Sequence, residues 1–308
     1  MLKFSGRKIF FIIALFLPVL DLLVPREFQI VGSFKTIFIF AILSIGLHIL
    51  TGYTGLLNLG VAAFMALGAY CFSILTTPIY PFRFDFITAL LLTCLFTAFV
   101  GLILGLPTLR LRGDYLAIVT LGFGEIVQDS LKNLEIITKG TQGITVPYPS
   151  LFGYTLSSDN KIGWYYFTLA FLALITWFIT NLERSRIGRR WMAIREDELA
   201  ASCIGLDIVK GKLGAFVSCA VLAGIAGVLL VSSFASSGEP NNYDFQVSII
   251  ALCIVIVGGI GSIEGVLGGA LLMIGFNSIF LVKITDFLAS KGITSTTNVF
   301  SSPNHYKY

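Results

Sequence analysis

One apolar segment of this sequence carries four polar residues at helical spacing. Glu125, Gln128, Asp129 and Lys132 stand at i, i+3, i+4 and i+7 in and just beyond 115–131. That spacing puts them on one side of a helix. Glu125 is about ten residues into the segment, roughly 15 Å along it. Ionisable groups at such depth in a bilayer are expensive and mark polar routes. They are also held by interhelical hydrogen bonds, with the last residue snorkelling from the helix end. The residues alone leave both readings open. Asn58, in a glycine-interrupted stretch, either lines the same route or satisfies broken backbone.

Reaction chemistry is missing. There is no GxxxxGK[ST] phosphate loop, no HExxH, no paired Cys/His metal spacing and no Ser/His/Asp set, so no catalytic or metal-binding residues are expected. The five cysteines (Cys71, Cys94, Cys203, Cys219, Cys253) show no CxxC spacing and read as small core residues. The two histidines, His48 and His305, look peripheral or isolated, which weighs against proton coupling. Any energy for work must come from a partner or an ion gradient.

The elements that would position the polar stripe are long apolar runs. Of 308 residues, 56% are hydrophobic and 12% charged, against roughly 25% charged in soluble domains. Mean hydropathy is +0.89. We read an all-α polytopic membrane protein in one domain over 1–308. About nine transmembrane or broken helices are expected, at 9–25, 36–50, 55–76, 86–106, 115–131, 163–182, 213–235, 246–258 and 263–283. The N-terminal run resembles a signal peptide but lacks a small-x-small cleavage site, so it reads as a retained first helix. With a cytoplasmic N-terminus, the basic clusters 1–8, 107–114 (Arg110, Arg112) and 183–212 fall on one side by parity. The net charge of +4 then reflects cytoplasmic loops rather than nucleic-acid binding. The longest outside loop, 132–162, reads as irregular surface.

Two stretches are not plain helices: 50–60 (LTGYTGLLNLG) and 258–270 (GGIGSIEGVLGGA). Paired glycine-rich interruptions suggest discontinuous helices near a substrate path, or short turns and close packing. Gly261, Gly265 and Gly269 recur at i, i+4, i+8, and Gly224 and Gly227 pair with Ala220 and Ala223, giving smooth ridges for helix packing. The densest charge run, 183–212, feeds directly into this small-residue segment. Trp191, Ile194, Leu199 and Ile204 do not share one face of a single helix, so a simple amphipathic docking helix is not expected there. From the residues alone, the run also fits a solvated loop.

Five strings carry a resemblance: TGYTGLLNLG at 51–60, LRLRGDYLAIVTLGFGEI at 109–126, TKGTQGI at 138–144, GRRWMAIREDELAASCIGLDIVKGKLGAFVSCAVLAGIAGVL at 188–229, and VGGIGSIEGVLGGALL at 257–272. Together they resemble the bacterial branched-chain amino-acid ABC importer permeases, in particular the M-type subunit. The resemblance implies a multi-pass permease bundle in the bacterial inner membrane and a homologous second permease. It also implies two ATPase subunits that hold ATP and Mg, and an extracytoplasmic binding protein. This chain would be no enzyme and carry no cofactor itself. Urea or short-amide permeases are close relatives of that family, and a secondary carrier is the reading from another class. The resemblance makes 183–212 the cytoplasmic ATPase-coupling loop, with Arg189, Arg190, Ala193, Arg195, Glu198, Ala201 and Gly205 in it, as short helices bending near Gly205. Substrate-path candidates are Asn58, Thr120 and Glu125. The family usually ends with one more membrane segment where this sequence has a polar tail, 284–308, and it tends to be uncharged at Glu264.

Overall fold

The computed structural model describes residues 10–11, 14–18, 31–81, 83–108, 114–151, 154–157 and 160–281. The N-terminal basic cluster, most of 9–25, Arg110, Arg112, His305 and the tail 284–308 lie outside the described residues. The described chain is helical. It runs α1 (Val31–His48), a π-helical turn (Ile49–Thr54), α2 (Val61–Thr76), α3 (Phe86–Thr108), α4 (Asp114–Asn133), the single turn α5 (Glu135–Thr138), α6 (Lys161–Arg184), α7 (Arg186–Glu196), α8 (Glu198–Cys203), α9 (Ile208–Phe234), α10 (Phe245–Gly258) and α11 (Ile263–Gly275). A second π-helical turn, Phe276–Leu281, follows. The sole strand pair among the described residues joins Ser150–Leu151 to Tyr154–Thr155.

Five stretches are long and apolar enough to cross a membrane, judged by length and composition: Val31–Thr54, Phe86–Pro107, Lys161–Arg184, Ile208–Phe234 and Pro240–Gly258. Val61–Thr76 and Ile263–Ser278 are shorter apolar helices. The expected nine spans are therefore not reached among the described residues. α4 drops out because Glu125, Asp129 and Lys132 crowd its second half. The run 55–76 becomes helical only at Val61. The second glycine interruption also shrinks: Gly259–Ser262 form a tight turn, and helix resumes at Ile263 with Ser262 as its cap.

The bundle is built around α9, which packs against α1, α2 and α3. Small residues make this possible. A Cβ added at Gly68 of α2 would lie 2.5 Å from the Cα of Gly224, and one at Gly101 of α3 would lie 2.6 Å from the Cβ of Ala220. A Cβ at Gly227 would run into the carbonyl of Met65. Without a hydrophobic drive between helices in lipid, such close backbone approach supplies the dispersion contacts that hold them. On α3, Thr93, Thr97, Gly101 and Gly105 form the matching stripe at four-residue spacing. Its other sides leave Leu91, Leu95, Phe99 and Ile103 exposed. Several hydroxyls within the helices bond back to the preceding turn: Thr54 donates to Leu50, Ser73 to Ala69, Thr97 to Thr93, and Thr168 to Trp164. That is the arrangement a water-free interior demands.

The loop 132–162 is more ordered than its composition predicts. Its TKGTQGI stretch docks on the end of α9. The Ile144 amide donates to Ser237 Oγ at 2.8 Å, the Ser237 amide to the Ile144 carbonyl at 2.9 Å, and the Val146 amide to Ala235 at 2.9 Å. Gly143 (φ +69) permits this, because any side chain there would strike the Gly238 carbonyl.

Candidate functional site

The first glycine break brings three distant segments together. The π-helical turn closes on an overloaded carbonyl, that of Leu50, which accepts from Thr54 Oγ1 at 2.7 Å, from the Leu56 amide at 3.1 Å and from the Gly55 amide. Gly55, at φ +70, then turns the chain out of the helix. Asn58 Oδ1 accepts from the Gly60 amide at 2.8 Å, closing a local turn. The Leu59 amide donates to Thr120 Oγ1 at 3.0 Å, and that hydroxyl donates to the Ala117 carbonyl. Any Cβ at Gly60 would overlap the Thr120 carbonyl, so the break lies directly on the α4 backbone. The Ala62 amide, at the start of α2, donates to Ser248 Oγ of α10 at 3.0 Å.

The predicted path residues separate into two groups. Asn58 and Thr120 are buried within this junction, and Asn58 Nδ2 has no hydrogen-bond partner there. Glu125 is exposed, at the rim of a shallow recess lined with Leu59, Gln128, Tyr243, Asp244 and Ser248. The recess offers about 10 Å³ to the centres of water-sized molecules, room for roughly one water. The polar stripe of α4 divides in the same way. Gln128 is buried and donates to the Pro240 carbonyl at 3.3 Å. Asp129 and Lys132 pair with each other at 3.4 Å near the helix end. His48, which looked peripheral in the sequence, is fully buried, its ring 4.9 Å from that of Tyr53.

The charged run folds into two short helices. Ser185 caps α7, accepting from the Ile187 and Gly188 amides, and Asp197 caps α8, accepting from Leu199 and Ala200. Gly205 (φ +82) makes the bend, and Asp207 caps α9 through the Lys210 amide at 3.0 Å. The break at Asp197 explains why the wheel over 191–204 showed no common face. Within α7 alone, Gly188, Trp191 and Ile194 share the buried side. Trp191 Nε1 donates to the Gly211 carbonyl at 2.8 Å, and Gly211 leaves room for Ile194. Burying large apolar side chains like these contributes about 1.5–3 kcal/mol each, fixing α7 to the start of α9. Glu198 pairs with the buried Lys212. Arg195 reaches inward, Nη1 donating to the Gly52 carbonyl at 2.7 Å.

The seven residues named for this loop therefore face different ways. Arg189, Arg195 and Gly205 are exposed, Arg190, Ala193 and Glu198 are half-buried, and Ala201 is buried; Glu198 and Arg195 also have inward partners. The outward apolar surface consists of Ile187, Leu199, Ile204 and Val209, which the sequence reading did not single out as such. On the ridges, Gly224 and Gly227 meet α3 and α2, and Gly265 and Gly269 meet the end of α10. Gly261 departs from expectation. It sits in the turn at φ +104 rather than on the α11 ridge.

A bundle of apolar helices, backbone-close glycine contacts, two interruptions and a charged loop locked to the central helix define a multi-pass membrane protein. The chain belongs to the branched-chain amino acid transport system permease component family, whose model matches residues 29–301. The high-affinity branched-chain amino acid transport system permease proteins LivM of Salmonella typhimurium and of Escherichia coli K12 are each 40% identical over 260 residues, 77% of this chain and 60% of the relative. The chain thus spans about 60% of the length of those curated relatives. LivH of Escherichia coli K12, another permease protein of that system, is 31% identical over 154 residues, 46% of this chain and 48% of the relative. No solved structure matches the chain.

Proposed function

We propose that this chain is a membrane-spanning permease subunit of an ATP-driven importer for branched-chain amino acids, seated in the bacterial inner membrane with its N-terminus cytoplasmic. Likeness to LivM over most of the chain carries this reading. A second, homologous permease completes the pore, a role supported by the partial likeness to LivH. ATP, with Mg, is hydrolysed on two separate ATPase subunits, and an extracytoplasmic binding protein delivers the substrate. The loop 183–212 is the cytoplasmic coupling element. Its capped helices are anchored by Trp191 and present Leu199 and Ile204 outward. Asn58, Thr120 and Glu125 belong to the path side of the subunit. The recess beside Glu125 is far too small for an amino acid; on this reading the pathway forms with the partner permease, in another conformation.

The reading is tested by reconstituting the chain with its second permease, ATPases and binding protein in proteoliposomes. Expected is ATP-dependent leucine uptake that survives a protonophore and is not displaced by urea. Uptake that needs no ATPase subunit would establish a secondary carrier instead, and displacement by urea or short amides would reassign the substrate. A cysteine at Leu199 should crosslink to the ATPase. Absence of a crosslink from Leu199, Ser202 and Ile204 would sink the coupling assignment.

A further inference from the structure

Arg195 lies where the last turns of two membrane helices converge. Its Nη1 donates to the carbonyl of Gly52, in the π-helical turn that closes α1, at 2.7 Å. A Cβ at Gly55 would lie 3.4 Å from its Cγ, and one at Gly261 would lie 3.7 Å from Nη1. Gly261 belongs to the turn that follows α10. Arg195 itself stands in the last turn of α7. One guanidinium from the charged loop thus bonds to the first glycine interruption and stands beside the second.

There is a physical reason for a cation at this place. The final carbonyls of a helix lack partners within it, and in a membrane protein they must find donors elsewhere. The carbonyl of Leu50 is served by its own chain, through Thr54, Gly55 and Leu56. That of Gly52 is served by Arg195, 143 positions away. Helix C-termini also carry partial negative charge that favours a nearby cation, and here α1 and α10 both end beside the same one. The acceptor is held without slack, since a side chain at Gly52 would collide with the buried imidazole of His48. A guanidinium has five donors in a rigid fork, so N–H groups remain once Gly52 is bound.

We propose that Arg195 is a positioning residue that latches both interrupted helix ends to the charged loop, so that movement of the loop reaches those two helix ends through this contact. The inference rests on the proposed role of 183–212 as the coupling element. It gives Arg195, an exposed residue of the loop, an inward contact at Gly52. When the loop shifts, the latch carries the two helix ends along.

The test uses the full reconstituted complex and reads substrate moved per ATP hydrolysed. Arg195→Gln and Arg195→Met should lower that ratio about tenfold, the scale of one charge-assisted hydrogen bond. Arg195→Lys, which keeps the charge and a donor, should recover it to within about threefold. A residue that only stabilises the fold would lower complex yield while leaving the ratio of the assembled fraction at the parental value, and that outcome overturns the latch. So does a lysine variant no better than glutamine. If glutamine and methionine variants do not assemble, nitroxides at Ser202 and Ile260 in the lysine variant decide. The latch requires their ATP-dependent distance change to be larger than in the parent, and an equal change overturns it. A parental complex with no ATP-driven uptake and no distance change would instead remove the importer reading itself.

Discussion

Replacing Gly68 with alanine probes the closest approach in the bundle. The new Cβ would lie 2.5 Å from the Cα of Gly224, 2.6 Å from its carbonyl oxygen and 2.9 Å from its carbonyl carbon. Carbon atoms in contact sit about 3.5–4.0 Å apart, so α2 and α9 must separate by roughly 1 Å. The neighbours are backbone, and no rotamer change relieves them. Overpacking of this kind costs about 1–3 kcal/mol, and the upper half of that range applies. Alanine returns about 1 kcal/mol through its helix propensity. The net loss is then about 1–2 kcal/mol. Gly214, in α9, supplies the control, since a Cβ there would have nothing within 4 Å and its φ is not positive. Gly214→Ala should gain up to about 1 kcal/mol. Two additions of one methyl group should therefore differ by about 2–3 kcal/mol, a separation of roughly 5–10 °C in thermal unfolding. The assay is loss of monodispersity on heating, in detergent, with both variants in the same complex. If Gly68→Ala melts at or above Gly214→Ala, the backbone contact between α2 and α9 does not exist.

Two further outcomes follow from the charged loop. Glu198 and Lys212 pair unequally, the lysine side chain being 5% exposed and the glutamate 38%. Glu198→Ala strands a buried cation and should destabilise by on the order of 3 kcal/mol, whereas Lys212→Met leaves a carboxylate that water can reach and should cost clearly less. Equal losses in thermal unfolding would show that the pair is not buried on one side. Asp207 accepts from the Lys210 amide and pairs with its ammonium at 3.1 Å, which holds the carboxyl below its usual range. Its capping is therefore present above the unfolded value near 4 and is lost as pH falls through the lower folded value. Exchange of the Lys210 amide, normalised to its intrinsic rate, should speed up across that acidic window in the parent. It should not do so in Asp207→Asn, which keeps a capping oxygen without the titration.

Apolar runs long enough for a bilayer made the helices legible, because such runs report the solvent directly. α1, α3, α6 and α9 follow from that signal. So does the place of each interruption, since Gly52, Gly55, Gly259 and Gly261 break the apolar runs. What stayed hidden is where the freed backbone groups go. The Leu59 amide finds Thr120, the Ala62 amide finds Ser248, and the Gly52 carbonyl finds Arg195. Each partner is remote in sequence and of ordinary type, so no local pattern announces it. Gly261 misled for a related reason: four-residue spacing marks a ridge only while the helix continues, and Ser262 starts a new one. A wheel drawn across Asp197 failed likewise, by treating two capped helices as one. The stripe Thr93, Thr97, Gly101 and Gly105 was readable by its spacing, and would have located the surface that receives α9.

These contacts also decide which parts of the subunit can move on the proposed reading. α9 meets α2 and α3 through backbone and small side chains, where even one added methyl group has no space. Interfaces packed that closely slide or rock as units rather than bend. α7 is fixed to the start of α9 by the Trp191 hydrogen bond and the burial of Ile194, and α8 by the Glu198–Lys212 pair. A displacement at the loop therefore enters α9 as rigid motion, and α2 and α3 travel with it. The compliance must lie elsewhere, at 55–60 and 259–262, where helical hydrogen bonding lapses. Both of those segments lie beside Arg195. The cation that completes the helix ends thus stands at the boundary between what is rigid and what can yield, where a small change in the loop has the greatest leverage over the bundle.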